Sequence, residues 1–307
     1  MAPRTEDPLM AQLASTIDNA LTVDVEDYYQ VSAFAPYISR GEWDHMPSRV
    51  ERNVERLLDM FDEFGVKATF FTLGCVAERH PAMVRRMVER GHELASHGYW
   101  HERASAQSPE QFREDIGHAR KLLEDMSGVQ VRGYRAPSFS IGPGNLWAFD
   151  IIREQGYTYS SSVYPIRHDH YGMPDAPRFA YQPIPRLTEI PISTVRVSGR
   201  NLPAGGGGYF RLLPYAVTRR AIRHIHRHDA RPSLFYMHPW EIDPGQPRIS
   251  AAGAKSRFRH YVNLGRTEAR LRRLLAEFRW GRMDHVMLRQ DPAPPDAAGE
   301  STRALGT

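Results

Sequence analysis

The sequence has almost no cysteine. Cys75 is the single one in 307 residues, so no intrachain disulfide can form and no CxxC pair offers a thiolate metal or redox site. No run approaches the roughly 18 apolar residues that cross a bilayer. The opening stretch MAPRTEDPLMAQLASTID lacks the apolar core of a secretion signal. The expectation is a cytoplasmic protein with no transmembrane segment. The quartet GGGG at 205–208 is not followed by Lys-Ser/Thr, which argues against a phosphate-binding loop. No repeat with a period of 20–50 residues is visible, and no basic arm or aromatic platform points to nucleic acid. Neither sign of charge dominates: the net charge is +4, and the basic stretches 219–231 and 266–282 read as solvated helix faces.

What is present suffices for a large core, since 41% of the residues are hydrophobic. Strand-like and helix-like runs alternate. Residues 20–25 form a strand. Val50, Val54, Leu57, Leu58, Phe61 and Phe64 then recur at helical spacing, with Ser48 as N-cap and Gly65 past the end. VKATFFTL, HELASH, VQVRGYRAP, YTYSSSV and SLFYMHP are strand-rich. Pro81–Gly91, 144–155, PYAVTRRAIRHIHRH and TEARLRRLLAEF are helical. SPEQ at 108–111 is a capping box with Pro109 in the first helical position. Repeated β–α units predict an α/β fold, a parallel sheet with helices outside it. The stretch 165–213, rich in Pro and Gly, reads as a cap or insertion within one domain spanning 19–289. Residues 1–18 and 290–307 read as flexible tails.

In such folds chemistry gathers at the C-terminal ends of strands. The first strand ends in Asp24-Val25-Glu26-Asp27. Three carboxylates that close repel unless something divides or neutralises them. His97 and His101, four apart, would face one point if they lay on a helical turn. With a carboxylate they make a site for a divalent ion that leaves positions open. One acid of the trio then binds the cation, and another stays free as a base toward water. Strand alternation puts Asp24 and Glu26 on one face, while Asp27 sits at the turn. Arg135 can fix a carboxylate with its planar fork. His238, after the apolar run LFYM, can give a proton to a leaving group. The histidines of HIHRH at 224–228 are expected to spread over different helix faces, not to form a metal site.

Taken in order, VDVED, SHGYWH, RAP and FYMHPWEID resemble four motifs of the polysaccharide deacetylase family, the NodB-homology domains of carbohydrate esterase family 4. VDVEDYYQVSAF, GYRAPSFSIG, GGGGYFRLLP and FYMHPWEIDP together resemble the subgroup found with exosortase and exopolysaccharide gene clusters. The resemblance covers roughly residues 18–288. It implies a distorted (β/α) barrel of about seven parallel strands. It also implies removal of acetyl groups from an acetylated polysaccharide or oligosaccharide. The cofactor would be a divalent ion, with Zn2+ expected, held by His97, His101 and either Glu26 or Asp27. Asp24 would be the base, Arg135 its orienting partner and His238 the acid. Tyr28, Trp100, Pro137, Gly207, Tyr209 and Trp240 would line the substrate path, the glycines as a backbone wall and the aromatics as sugar platforms. The family's fourth motif supplies an acidic or aromatic wall, whereas YSSSVYP at 159–165 has no acid. What tunes His238 stays open, with Glu241 and Asp243 as candidates. The alternatives are a metal-independent amidase on cyclic amides, a catalytically silent sugar-binding protein, and a non-haem iron(II) oxygenase.

Overall fold

A computed structural model describes residues 17–168 and 172–288. Of the expected tails, 1–18 and 290–307, residues 1–16 and 290–307 lie outside these residues, while Asp18 already belongs to the first strand. The chain begins with β1 (Asp18–Val25), a short 3-10 turn at Arg40–His45, α1 (Val50–Glu63), β2 (Thr69–Thr72), α2 (Gly74–Arg79) and α3 (Pro81–Glu89). Next come β3 (Glu93–Ser96), α4 (Pro109–Ser127), β4 (Gly133–Tyr134), α5 (Trp147–Glu154) and β5 (Tyr159–Ser160). The stretch read as a cap holds β6 (Tyr181–Ile184), β7 (Leu187–Glu189), β8 (Thr194–Val197), β9 (Arg200–Pro203) and α6 (Gly207–Leu212). The chain closes with α7 (Tyr215–His224), β10 (Leu234–Met237), α8 (Ala254–Tyr261), α9 (Leu264–Glu277), β11 (Arg279–Gly281) and α10 (Met283–Val286).

One sheet runs β10-β1-β2-β3-β4-β5-β7-β6, with β11 added on β1. From β10 to β7 all pairings are parallel; β6 alone is antiparallel, to β7. These seven parallel strands match the barrel expectation. Part of the stretch read as a cap belongs to this sheet, through β6 and β7. β1 is buried from Asn19 to Val25, as a strand with both faces covered must be. Its odd-numbered residues Leu21, Val23 and Val25 pack outward with Val54, Leu57, Leu58 and Phe61 of α1. Ala20 packs on the other side with Phe71, Tyr159, Ile192 and Tyr236. By alternation Thr22 and Asp24 share that inner side. The capping box forms as expected: Ser108 Oγ accepts the Gln111 N–H, and the Gln111 side chain accepts the Ser108 N–H.

The gap between β7 and β10 is spanned by the chain after β7. Ser193 accepts the Leu234 N–H at 2.7 Å through its hydroxyl, and Gly205 accepts the Tyr236 N–H at 2.7 Å. Gly206 bridges Tyr236 in parallel. A Cβ on Gly206 would stand 2.3 Å from the Tyr236 carbonyl oxygen, and one on Gly207 2.3 Å from the Tyr236 hydroxyl. Both glycines have positive φ, 106° and 56°. Close packing on β10 thus accounts for the middle of the GGGG quartet, and Gly207 is buried there.

Candidate active site

Asp24 ends the inner row of β1. Its Oδ1 accepts a 2.6 Å hydrogen bond from Arg135 Nη1, and both residues are buried. Arg135 follows β4. The same Nη1 donates to Thr22 Oγ1 at 2.8 Å, while Nε and Nη2 donate to the Ser161 carbonyl at 3.2 Å and its hydroxyl at 3.0 Å. The guanidinium carbon lies 4.0 Å from the Phe71 ring centre. A buried cation with one carboxylate, three further acceptors and an aromatic face below it is held in a single orientation.

Glu26 turns toward the histidines. Its Oε2 is 2.7 Å from His101 Nε2, and Oε1 accepts the Trp240 indole N–H at 3.2 Å. Glu26, His97 and His101 each offer one ligand atom, all within 4.8 Å of one another. His97 Nδ1 is 2.8 Å from the Arg135 carbonyl, which can only accept. The proton therefore sits on Nδ1, and Nε2 presents its lone pair. Burial lowers the His97 pKa to about 4, so the ring is neutral at pH 7. Burial would raise Glu26, but the charges of His101 and His238 outweigh it and hold the carboxyl near a pKa of about 2. Glu26 Oε2 is buried and faces the His101 ring nitrogen alone. Two imidazoles and an ionised carboxylate set this close together fit a divalent cation.

The histidines do not lie on a helical turn. They sit in a loop after β3, where Gly98 (φ 78°) and His101 (φ 57°) reverse the chain and bring the ring centres to 5.4 Å. Asp115, on α4, shapes that loop by accepting the Tyr99 N–H at 3.0 Å. The sequence reading missed it, because 14 residues separate Asp115 from His101. Asp27 does not join the group. Its Oδ2 accepts from Ser48 Oγ and from the N–H groups of Arg49 and Val50, and its Oδ1 from the Tyr28 N–H. It caps the start of α1, the position expected of Ser48, which instead donates to Asp27. Burial raises the Asp27 pKa against those hydrogen bonds.

His238 follows β10. Its Nδ1 is 2.6 Å from Glu241 Oε1, and its Nε2 is 3.5 Å from Glu26 Oε1. Glu241 is fully buried and takes Arg211 Nε on its other oxygen at 2.8 Å. Burial would lower the His238 pKa, but the charge of Glu26 and the bond to Glu241 raise it to about 9. Asp243, the other candidate, pairs with Arg52 at 2.9 Å. Trp240 stacks between His238 and His260, at ring separations of 5.1 and 4.1 Å.

The expected substrate path changes accordingly. Tyr28, Pro137 and Trp240 are buried. Tyr209 is half-buried. Trp100 is 39% exposed beside His101, with Trp43 at 6.4 Å and the Arg40 guanidinium 5.2 Å over its ring. His224 and His228 lie with ring centres 4.3 Å apart, not on separate faces, because residues four apart share one side of a helix. Among the described residues only Glu26, His97 and His101 form a group of three metal-capable side chains.

Residues 42–160 match the family model described as polysaccharide deacetylase, and residues 161–288 match one described as a domain of unknown function, DUF3473. Among curated proteins, the chain is 30% identical over 112 residues to a peptidoglycan deacetylase-like protein of Gibberella zeae, covering 36% of this chain and 32% of that one. It is 28% identical over 118 residues to a peptidoglycan deacetylase of Helicobacter pylori, covering 37% and 38%. It is 32% identical over 97 residues to a chitooligosaccharide deacetylase of Sinorhizobium fredii, covering 31% and 42%. The chain thus spans well under half the length of these relatives. A crystal structure from Mycobacterium smegmatis assigned to the polysaccharide deacetylases superposes with a TM-score of 0.60 at 21% identity, covering 98% of this chain and 99% of that one. The crystal structure of Puue allantoinase gives 0.57 at 16%, covering 94% and 93%. These two likenesses establish the fold. The two family matches meet at residues 160 and 161, inside one continuous sheet.

Proposed function

We propose that this chain is a de-N-acetylase of the polysaccharide deacetylase family, hydrolysing the acetamide groups of amino sugars in a polysaccharide. One observation carries the proposal: Glu26, His97 and His101 meet beside the buried Asp24–Arg135 pair, with His238 reaching the same Glu26 from another strand end. The match of residues 42–160 supports it. Glu26, His97 and His101 would hold a divalent ion, with zinc the choice that two imidazoles and a carboxylate favour. Such an ion polarises an amide carbonyl and eases loss of a proton from water.

The chain's own groups then have separate tasks. Asp24 takes the water proton at the oxygen that Arg135 does not engage. The water oxygen bonds to the acetamide carbonyl carbon. Arg135 keeps Asp24 aimed. His238, its Nδ1 fixed by Glu241, donates from Nε2 to the sugar nitrogen as the C–N bond breaks. Acetate and a free amine leave. Trp100, Trp43 and Arg40 stand at the rim, where a sugar ring can stack. The motif resemblance favours an exopolysaccharide or its precursor as the polymer.

Two measurements test this. Elemental analysis should find about one divalent ion per wild-type chain and none in His97→Ala. Acetate release should be measured on N-acetylated chitooligosaccharides and on acetylated exopolysaccharide, with Asp24→Asn slower by about 100- to 10,000-fold. Asp24→Asn at wild-type rate would remove Asp24 as the base. Turnover without any metal would favour the metal-independent amidase.

A further inference from the structure

The stretch from the end of β5 onward, Ser160-Ser161-Ser162-Val163, contains no acid, yet it carries acceptors that hold Arg135. Its backbone is fixed from the neighbouring strand. Glu189 ends β7, in register with Ser160 of β5, and is fully buried. Its Oε1 accepts the N–H groups of Ser162 at 2.8 Å and Val163 at 2.9 Å. One carboxylate oxygen thereby sets the course of the chain through these residues. Ser161, immediately before them, turns both its carbonyl and its hydroxyl to the Arg135 guanidinium. Ser162 Oγ accepts the Ala136 N–H at 2.9 Å, next to Arg135 in the chain, and a 2.8 Å bond from Ser160 Oγ. The loop therefore grips Arg135 at its side chain and at the backbone beside it.

We infer that Glu189 is a positioning residue for the base: it fixes the Ser161–Val163 backbone, which fixes Arg135, which fixes Asp24. This rests on the deacetylase proposal for the roles of Arg135 and Asp24. A carboxylate is costly to bury, and burial pushes Glu189 up to a pKa of about 7 against its hydrogen bonds. Holding two adjacent amides on one oxygen is what offsets that cost. The carboxamide of Gln presents the same acceptor, so Glu189→Gln should preserve the arrangement and Glu189→Ala should not.

The test reads Arg135 directly. Its Nε–H is buried on the Ser161 carbonyl, so it should give a slowly exchanging arginine side-chain resonance in 15N-labelled protein. The Arg211 Nε–H, buried on Glu241, is the control in the same molecule. Wild type and Glu189→Gln should show both resonances. Glu189→Ala should lose the Arg135 resonance and keep that of Arg211. In acetate release from N-acetylated chitooligosaccharide, Glu189→Ala should lower kcat by about tenfold or more with KM within about twofold, and Glu189→Gln should restore kcat. An Arg135 resonance unchanged in Glu189→Ala overturns the inference. So does loss of both resonances together, which marks general loosening, or a rise in KM at constant kcat. Should Glu189→Ala not fold, Glu189→Asp, which withdraws the carboxylate by one methylene, is read the same way. If wild type releases no acetate, the deacetylase proposal fails, and the resonance pattern still decides whether Glu189 fixes Arg135.

Discussion

Asp24 gives one oxygen to Arg135, whereas Asp27, three residues on, gives both of its oxygens to the start of α1. Glu26 between them faces the histidines. Strand alternation was enough to set Asp24 and Glu26 on one side of β1. It could not show what occupies Asp27, whose partners Ser48, Arg49 and Val50 lie more than twenty residues along the chain. Nor could it choose between Glu241 and Asp243 for His238, since both lie close in sequence and only the 3-10 turn at Pro239–Ile242 selects Glu241. That choice has a pH consequence. His238, raised to about 9, carries its proton below that value, so the acid role proposed for it would be lost as pH rises through it. Glu241→Gln removes a negative partner. The alkaline limb of kcat should move to lower pH, and kcat should fall by about 10- to 100-fold. A limb that stays in place would exclude Glu241 as the group that tunes His238.

At the scale of elements, α1 begins on a carboxylate that belongs to the loop after β1. Asp27→Ala should cost about 0.5–2 kcal/mol, the usual loss of a helix cap, seen as a Tm lower by a few degrees. Metal stoichiometry should not change. Loss of metal in this variant would return Asp27 to the ligand set. The helices were the most legible part of the sequence. Val50 to Phe61 keep their spacing, and Ser108, Pro109 and Gln111 form the capping box that their order predicts. The loop at 97–101 was legible in residue types but not in shape. Spacing of four suggests a helical turn, yet a glycine and a histidine with positive φ make the reversal. The close packing at the glycine quartet was not legible for a related reason: the side chain it avoids, Tyr236, arrives from a strand about thirty residues later.

Across the whole molecule, alternating strands and helices predicted the parallel sheet, and the motif resemblance implied about seven strands. The order of the strands was not legible. β1 lies between β2 and β10, and β7 reaches β5 by passing over β6. Buried acids mark the cost of that packing. Glu93, at the start of β3, is raised to about 7 by burial and by the charge of Asp284. Its folded pKa lies above its ordinary value of 4.5, so the native state holds the proton more tightly. The stability this contributes is complete below pH 4.5 and is lost as pH rises through about 7. Glu189 acts with the same sign. Glu93→Gln should therefore flatten part of the fall in the urea midpoint between pH 4.5 and 7. Parallel curves for variant and wild type would show that Glu93 does not titrate as its burial implies. The strand order also fixes when the catalytic groups can first meet. Ala20 pairs with Leu234, so β1 leaves the ribosome long before its partner is made. At about 5–20 residues per second, the strand that carries Asp24 and Glu26 waits roughly 10–40 s for β10. During that interval a nascent chain holds an apolar central strand with one edge unpaired, and no amount of early helix formation can shorten the delay.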